Sequence, residues 1–288
     1  MTGQPGCDYS NHNNRNNLIP RLISSVLIIL FVIFTVLVWP DWFFCLVLTA
    51  MIAMALNEFY SLVEKKGIPI FKISGISIAI LVPTSIFFAF EPTKGWELLF
   101  IIAVVLIIFI LQFTRRESDQ AIVGVSTMIF GILYISWTFS FLMKLKLIEH
   151  DGLPDGSLLV AFLLLVTKVG DIGAYFVGTY FGKHSLIARI SPKKSVEGAI
   201  GGFVCSVAAA LISKSFLPSI SLYHLFILGC ILGVLAQVGD LTESLIKRDS
   251  QVKDSAALIP GMGGMLDLID SILFTAPTLY FYALKFLK

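Results

Sequence analysis

Long apolar runs follow one another almost without break in this chain, each of roughly 20 residues, enough to cross about 30 Å of hydrocarbon at helical rise. They lie at 22–39, from Trp42 to the basic pair Lys65 and Lys66, and at 71–90, 97–113, 121–143, 157–181, 198–213, 222–246 and 264–284. Their number predicts an all-α polytopic integral membrane bundle of about nine transmembrane helices. The sixth, seventh and eighth runs are interrupted by glycines and charges, so the count is soft by one. The composition, 57% hydrophobic and only 14% charged, lies outside the soluble globular range. A net charge of +2 is too small to argue for a nucleic acid partner.

Residues 1–17 are polar and Asn-rich, and no small-residue cleavage site follows the first apolar run. They read as a cytosolic tail ahead of a retained span, and their lack of transit-peptide character points to a bacterial plasma membrane. An amino-terminal membrane region of five spans then covers 18–150, and a carboxyl-terminal region of four spans covers 151–288. Summed over alternate loops, fourteen Lys and Arg fall on the amino-terminal side and six on the other. The positive-inside rule therefore places the amino terminus in the cytosol and the carboxyl terminus outside. Loops 182–197 and 247–262 then face the cytosol, where nucleotides are found. Cys7, Cys45, Cys205 and Cys230 have no CxxC or zinc spacing, and the four histidines have no metal or nucleophile spacing.

Charge concentrates in one place. Between Gly239 and Ser271 the chain carries Asp240, Glu243, Asp254, Asp267 and Asp270 beside Lys247, Arg248 and Lys253. Ionisable groups at membrane depth are costly and mark functional sites. Asp240, Glu243, Ser244 and Lys247 fall at i, i+3, i+4 and i+7 of one helix face, and Asp267 and Asp270 at i, i+3 of the next span. Two helices with paired carboxylates, joined by a basic loop, suit a hard divalent cation, which typically takes one or two carboxylates plus substrate phosphates. A structural charge cluster at a helix end is the alternative. Pro260–Gly264 leads into the last helix, where glycines let backbone approach a phosphate. Upstream, Lys168 and Asp171 sit at i, i+3 inside an apolar run and either neutralise one another or serve the site. The loop ARISPKKSVEG offers Arg189, Ser191, Lys193, Lys194 and Ser195 to a polyphosphate or an anionic lipid head group.

These residues resemble the CDP-diacylglycerol synthases (phosphatidate cytidylyltransferases). That family's hallmark runs Ser-x-x-Lys-Arg, four residues, Lys-Asp, then Pro-Gly-His-Gly-Gly, two residues, Asp-Arg-x-Asp. Here Ser244, Lys247, Arg248, Lys253, Asp254, Pro260, Gly261, Gly263, Gly264, Asp267 and Asp270 stand in register. DIGAYFVGTYFGK and SPKKSVEG are similar to two further landmarks, so the resemblance covers roughly residues 157–288. Met262 replaces the usual His and Leu268 the usual Arg, so no role of those side chains carries over.

The resemblance implies an enzyme that joins CTP and phosphatidic acid in the lipid bilayer, releasing pyrophosphate, with Mg²⁺ and a second ion such as K⁺. It implies metal ligation by Asp240 and Asp267, with Asp270 a further acid and Lys247, Lys253 and Asp254 completing the catalytic set. It implies substrate contacts from Ser191, Lys193, Lys194, Arg248, Ser244, Gly263, Gly264 and Asp171. It also implies a homodimer, which no residue of the sequence itself indicates. Two other readings stay open: a CTP-dependent lipid-alcohol kinase, which would need a base for its hydroxyl acceptor, and an ion-coupled transporter, which would show inverted repeats.

Overall fold

The computed structural model describes residues 30–90, 95–115, 119–149, 153–250 and 264–287. Helix α1 occupies 30–37. It is followed by α2 (Asp41–Lys65), α3 (Lys72–Phe87), α4 (Trp96–Phe113), α5 (Ala121–Gly131), a π-helical turn (Ile132–Trp137) and α6 (Phe141–Lys146). The second half holds α7 (Gly156–Phe181), β1 (Ser185–Ile187), β2 (Ser191–Ser195), α8 (Val196–Ile212), α9 (Leu222–Asp249) and α10 (Met265–Phe286).

Among the described residues, six helical stretches are long and apolar enough to cross a membrane: α2, α4, the continuous stretch Ala121–Lys146, α7, Val196–Ser215 and α9. Helix α3, at 16 residues, is shorter. The protein is thus a helical membrane protein. The departure from an all-helical reading is an antiparallel hairpin, β1 with β2, formed by the polar stretch after α7.

Which face each helix buries follows from its small and apolar residues. Helix α4 buries only Val104 and Ile108 and exposes large side chains on every other side, as a lipid-facing helix does. Helices α7 and α8 make the most extensive contact in the molecule. A Cβ added at Gly202 would press on Ala174 at 2.8 Å, and one at Gly198 would stand 3.0 Å from Gly178. With little hydrophobic drive between helices in lipid, such close backbone approach supplies the packing. Gly229 and Gly233 repeat the device between α9 and α8, each with a contact at 2.9 Å. Gly239 lets α9 lie directly against the Asp270 carbonyl of α10.

The two halves join where α2 and α6 pack on α10 and α6 on α7, and hydrogen bonds brace the amino-terminal side of that junction. Tyr60 of α2 is fully buried and donates to the Met128 carbonyl at 3.0 Å. Ser136 of the π turn donates to the Ala79 carbonyl of α3 at 2.7 Å. Lys146 at the end of α6 donates to Val36 O at 2.7 Å and to Ser157 Oγ at 3.2 Å, with Asp41 at 3.4 Å. Helix α2 ends in Lys65-Lys66-Gly67, where Gly67 has φ +75°, the left-handed value glycine adopts freely, and its N–H returns to Glu64 O.

Candidate active site

The same close packing that joins α7, α8 and α9 leaves a cavity of about 590 Å³ between them. The hairpin forms one wall, and α10 contributes Asp267 and Asp270. Its lining includes Gly170, Gly202, Gly233 and Ser206, small residues that leave room because they have little side chain, together with Asp171, Asp240, Ser191, Lys193 and Lys194. Eight of the residues singled out in the sequence therefore meet around one space, drawn from four elements separated by up to a hundred positions.

Local sequence explains how each is held. Ser195 ends β2 and caps α8, its Oγ accepting from Gly198 N at 3.1 Å. Two residues on, Glu197 Oε2 accepts the N–H groups of Lys183 and His184 at 3.1 and 3.2 Å, which fixes the chain entering the hairpin. Lys194 then points across the cavity to Asp240 Oδ1 at 2.6 Å and Ser244 Oγ at 3.3 Å. Arg248 does not line the cavity. Its Nε donates to the Ile190 carbonyl at 3.1 Å, tying the hairpin to the end of α9.

Helix periodicity put Asp240, Glu243, Ser244 and Lys247 on one face, and that face is shared between two neighbours. Asp240 and Ser244 meet the hairpin. Glu243 and Lys247 are buried and pair at 2.5 Å. Lys247 also pairs with Asp267. Asp267 Oδ2 accepts the N–H of Gly264 at 2.9 Å, so the same carboxylate closes the first turn of α10. The structural charge cluster and the cavity wall are therefore one arrangement, with Asp267 common to both.

Lys168 and Asp171 pair at 3.2 Å, as their spacing allowed, and Lys168 does more than neutralise. Its Nζ reaches Leu268 O at 3.2 Å and Ser271 Oγ at 3.0 Å, while Ser271 Oγ donates to Asp171 at 3.2 Å. This knot joins α7 to α10 beside Asp270, whose Oδ1 accepts from Ser271 N at 2.5 Å. At position 268 the chain uses its backbone carbonyl. Lys253, Asp254 and Gly263 lie outside the described residues.

Asp171, Asp240 and Asp270 stand within Coulombic reach of one another. Two of the three already have a cationic partner, Asp171 in Lys168 and Asp240 in Lys194. No three such groups among the described residues are gathered into a complete metal site of their own.

The family model described as the Cytidylyltransferase family matches residues 19–286. The chain belongs to the cytidylyltransferase family. It is similar to the phosphatidate cytidylyltransferase of Synechocystis sp., 31% identical with 93% of this chain and 97% of the relative covered. The phosphatidate cytidylyltransferase of Bacillus subtilis is 33% identical, with 91% and 96% covered. That of Staphylococcus saprophyticus is 39% identical over 150 residues, or 52% of this chain and 55% of the relative. The family match extends through the amino-terminal half, where sequence patterns alone showed only hydropathy.

Sequence reasoning gave no place to Ser271, or to Gln237, which donates to Ala199 O at 2.9 Å beside the cavity. Each is a polar group inside an apolar run, which was the available signal. Glu58 carries the same signal on α2.

Proposed function

We propose that this chain makes CDP-diacylglycerol and pyrophosphate from CTP and phosphatidic acid in the cavity between α7, α8, α9 and α10. The observation that carries the reading is the convergence of Asp171, Asp240, Asp267 and Asp270 with Lys193 and Lys194 on that one space, in a member of this family. Acids and bases there meet the two needs of a nucleotidyl transfer, a cation site and a polyphosphate site.

Asp240 and Asp267 would hold Mg²⁺, with Asp270 and Asp171 beside them for a second ion such as K⁺. When bound, the divalent ion supplies charge neutralisation for the polyphosphate undergoing transfer. Lys193 and Lys194 hold the CTP phosphates from the hairpin. Lys194 does so by exchanging its partner: a phosphate oxygen replaces the Asp240 carboxylate, which would then be free to hold the divalent ion. Lys247 holds Asp267 in place from behind. The family resemblance would add Lys253, Asp254, Gly263, Gly264 and Ser244 to the set, with Arg248 holding the hairpin in place.

The lipid phosphate oxygen attacks the α-phosphorus of CTP in line, forming a new P–O bond as the bond to pyrophosphate breaks. Phosphatidic acid is already ionised near neutral pH, so no base has to take a proton. The described histidines are engaged elsewhere, His184 with Glu197 and His224 with Tyr282. A lipid alcohol would need such a base.

In this reading the nine apolar helices are nine spans, with the amino terminus and the cavity mouth at the cytosolic face of a bacterial inner membrane, and the enzyme acts as a homodimer. Support comes from the Lys and Arg asymmetry of the loops and from the bacterial relatives. Purified protein in detergent, given CTP, Mg²⁺ and phosphatidic acid, is expected to release pyrophosphate, and Asp240→Asn to lose at least about a hundredfold in kcat, the scale of removing one electrostatic contact to the transition state. Pyrophosphate release by Asp240→Asn at the wild-type rate would overturn the assignment.

A further inference from the structure

The cavity belongs to the carboxyl-terminal half, yet one carboxylate from the other half reaches the start of α10, next to Asp267 of its lining. Glu58 sits on α2 two turns before the helix ends and is 3% exposed. Its Oε2 accepts the N–H of Leu266 at 3.1 Å. Leu266 is the second residue of α10, and its N–H is one of the four that a helix cannot satisfy from within. The next residue is Asp267, and Asp270 follows one turn later.

We propose that Glu58 is a positioning residue for the catalytic cavity: it fixes the first turn of α10 and thereby sets where Asp267 and Asp270 stand. A buried carboxylate is expensive and persists where its partners hold it. Here the partner is a backbone donor at the positive end of a helix dipole, which favours an anion. Two carboxylates share that turn, since Asp267 Oδ2 takes the N–H of Gly264 and Glu58 takes that of Leu266. With Glu58 absent, Leu266 N–H would be left buried and unpaired, and the turn would shift to find an acceptor, carrying Asp267 with it.

The platform behind Glu58 is rigid. Ile52, Leu56 and Tyr60 on α2 are fully buried, and Gly131 of α5 lies so close that an added Cβ would stand 2.8 Å from Tyr60 and 3.0 Å from Phe59. The same helix also reaches the end of α9, where Lys66 pairs with Asp249. Thus α2 touches both described flanks of the stretch 251–263. This gives the amino-terminal half a part in the chemistry without placing a group on the substrate.

The inference rests on the proposed reaction only for its kinetic readout, so the test has two arms on full-length protein in detergent. Hydrogen exchange is followed in peptides covering 264–270, and pyrophosphate release is titrated with Mg²⁺. Glu58→Ala is expected to speed exchange of those amides by about tenfold or more, the scale of losing one hydrogen bond to a charged group. It should also lower kcat and raise the Mg²⁺ concentration for half-maximal rate severalfold. Glu58→Gln keeps an acceptor oxygen at the same reach and should recover most of both. Glu58→Asp, one methylene shorter, should not.

Wild-type exchange in 264–270 with an unchanged Mg²⁺ requirement in Glu58→Ala would overturn the proposal. So would equal behaviour of Glu58→Gln and Glu58→Asp, the pair that carries the test if Glu58→Ala does not fold. If wild-type protein releases no pyrophosphate, the proposed reaction fails, and the exchange arm still decides the role of Glu58.

Discussion

Replacing Lys194 by Ala separates a residue that holds substrate from one that holds the fold. In the structure Lys194 Nζ bridges the hairpin to α9 through Asp240 at 2.6 Å and Ser244 at 3.3 Å. Its side chain is 26% exposed and that of Asp240 43%, so solvent screens the pair, and its worth to stability is only about 0.2–1 kcal/mol. Toward a CTP phosphate in the cavity the same ammonium makes a charge-assisted hydrogen bond worth about 1.5–3 kcal/mol. At 1.4 kcal/mol per factor of ten, kcat/KM for CTP should fall by roughly ten- to a hundredfold. Over the same substitution the unfolding midpoint should move by only a few degrees. Steady-state kinetics with varied CTP, beside a thermal melt in the same detergent, read both numbers. Lys194→Arg, which keeps the charge, should retain more activity than Lys194→Ala. A drop of many degrees with kcat/KM within twofold of wild type would show that Lys194 serves the hairpin alone and would refute its role in binding phosphate.

Lys247→Met strands Glu243, which is 3% exposed, and should destabilise the protein by about 3–5 kcal/mol in chemical denaturation, while Lys247→Met with Glu243→Gln should recover part of that loss. Gly239→Ala would set a methyl against the Asp270 carbonyl and should cost about 1–3 kcal/mol while depressing kcat, because α9 and α10 must part where both carry carboxylates. Arg248→Ala frees the hairpin from α9 and should speed tryptic cleavage at Arg189, Lys193 and Lys194 several-fold, read on a gel with the remaining chain intact.

Hydrophobic length made the helices legible, because crossing hydrocarbon demands a run of fixed size, and among the described residues six helical stretches reach that length and apolarity. Periodicity placed Asp240, Glu243 and Lys247 on one helix face and paired Lys168 with Asp171, since these are short-range relations that 3.6 residues per turn enforces. How that face divides was not legible. Asp240 turns to the hairpin and Glu243 to α10, a choice made by which helix packs on which side. The hairpin was hidden because ARISPKKSVEG has neither alternation nor a two-residue turn signal, and it is held by Glu197, Arg248 and Lys194 rather than by strand propensity. The π turn at Ile132–Trp137 has no sequence signature. Glu58 and Leu266 are 208 positions apart, and nothing local to either announces their pairing.

The most direct measurement follows the label from CTP carrying radioactive phosphorus at the α- or the γ-position into lipid, with phosphatidic acid as acceptor and Mg²⁺ present. The account predicts α-label in a CDP-diacylglycerol band and γ-label wholly in released pyrophosphate. Lipid labelled from the γ-position, with CDP left behind, would contradict it and make this cavity the site of a kinase.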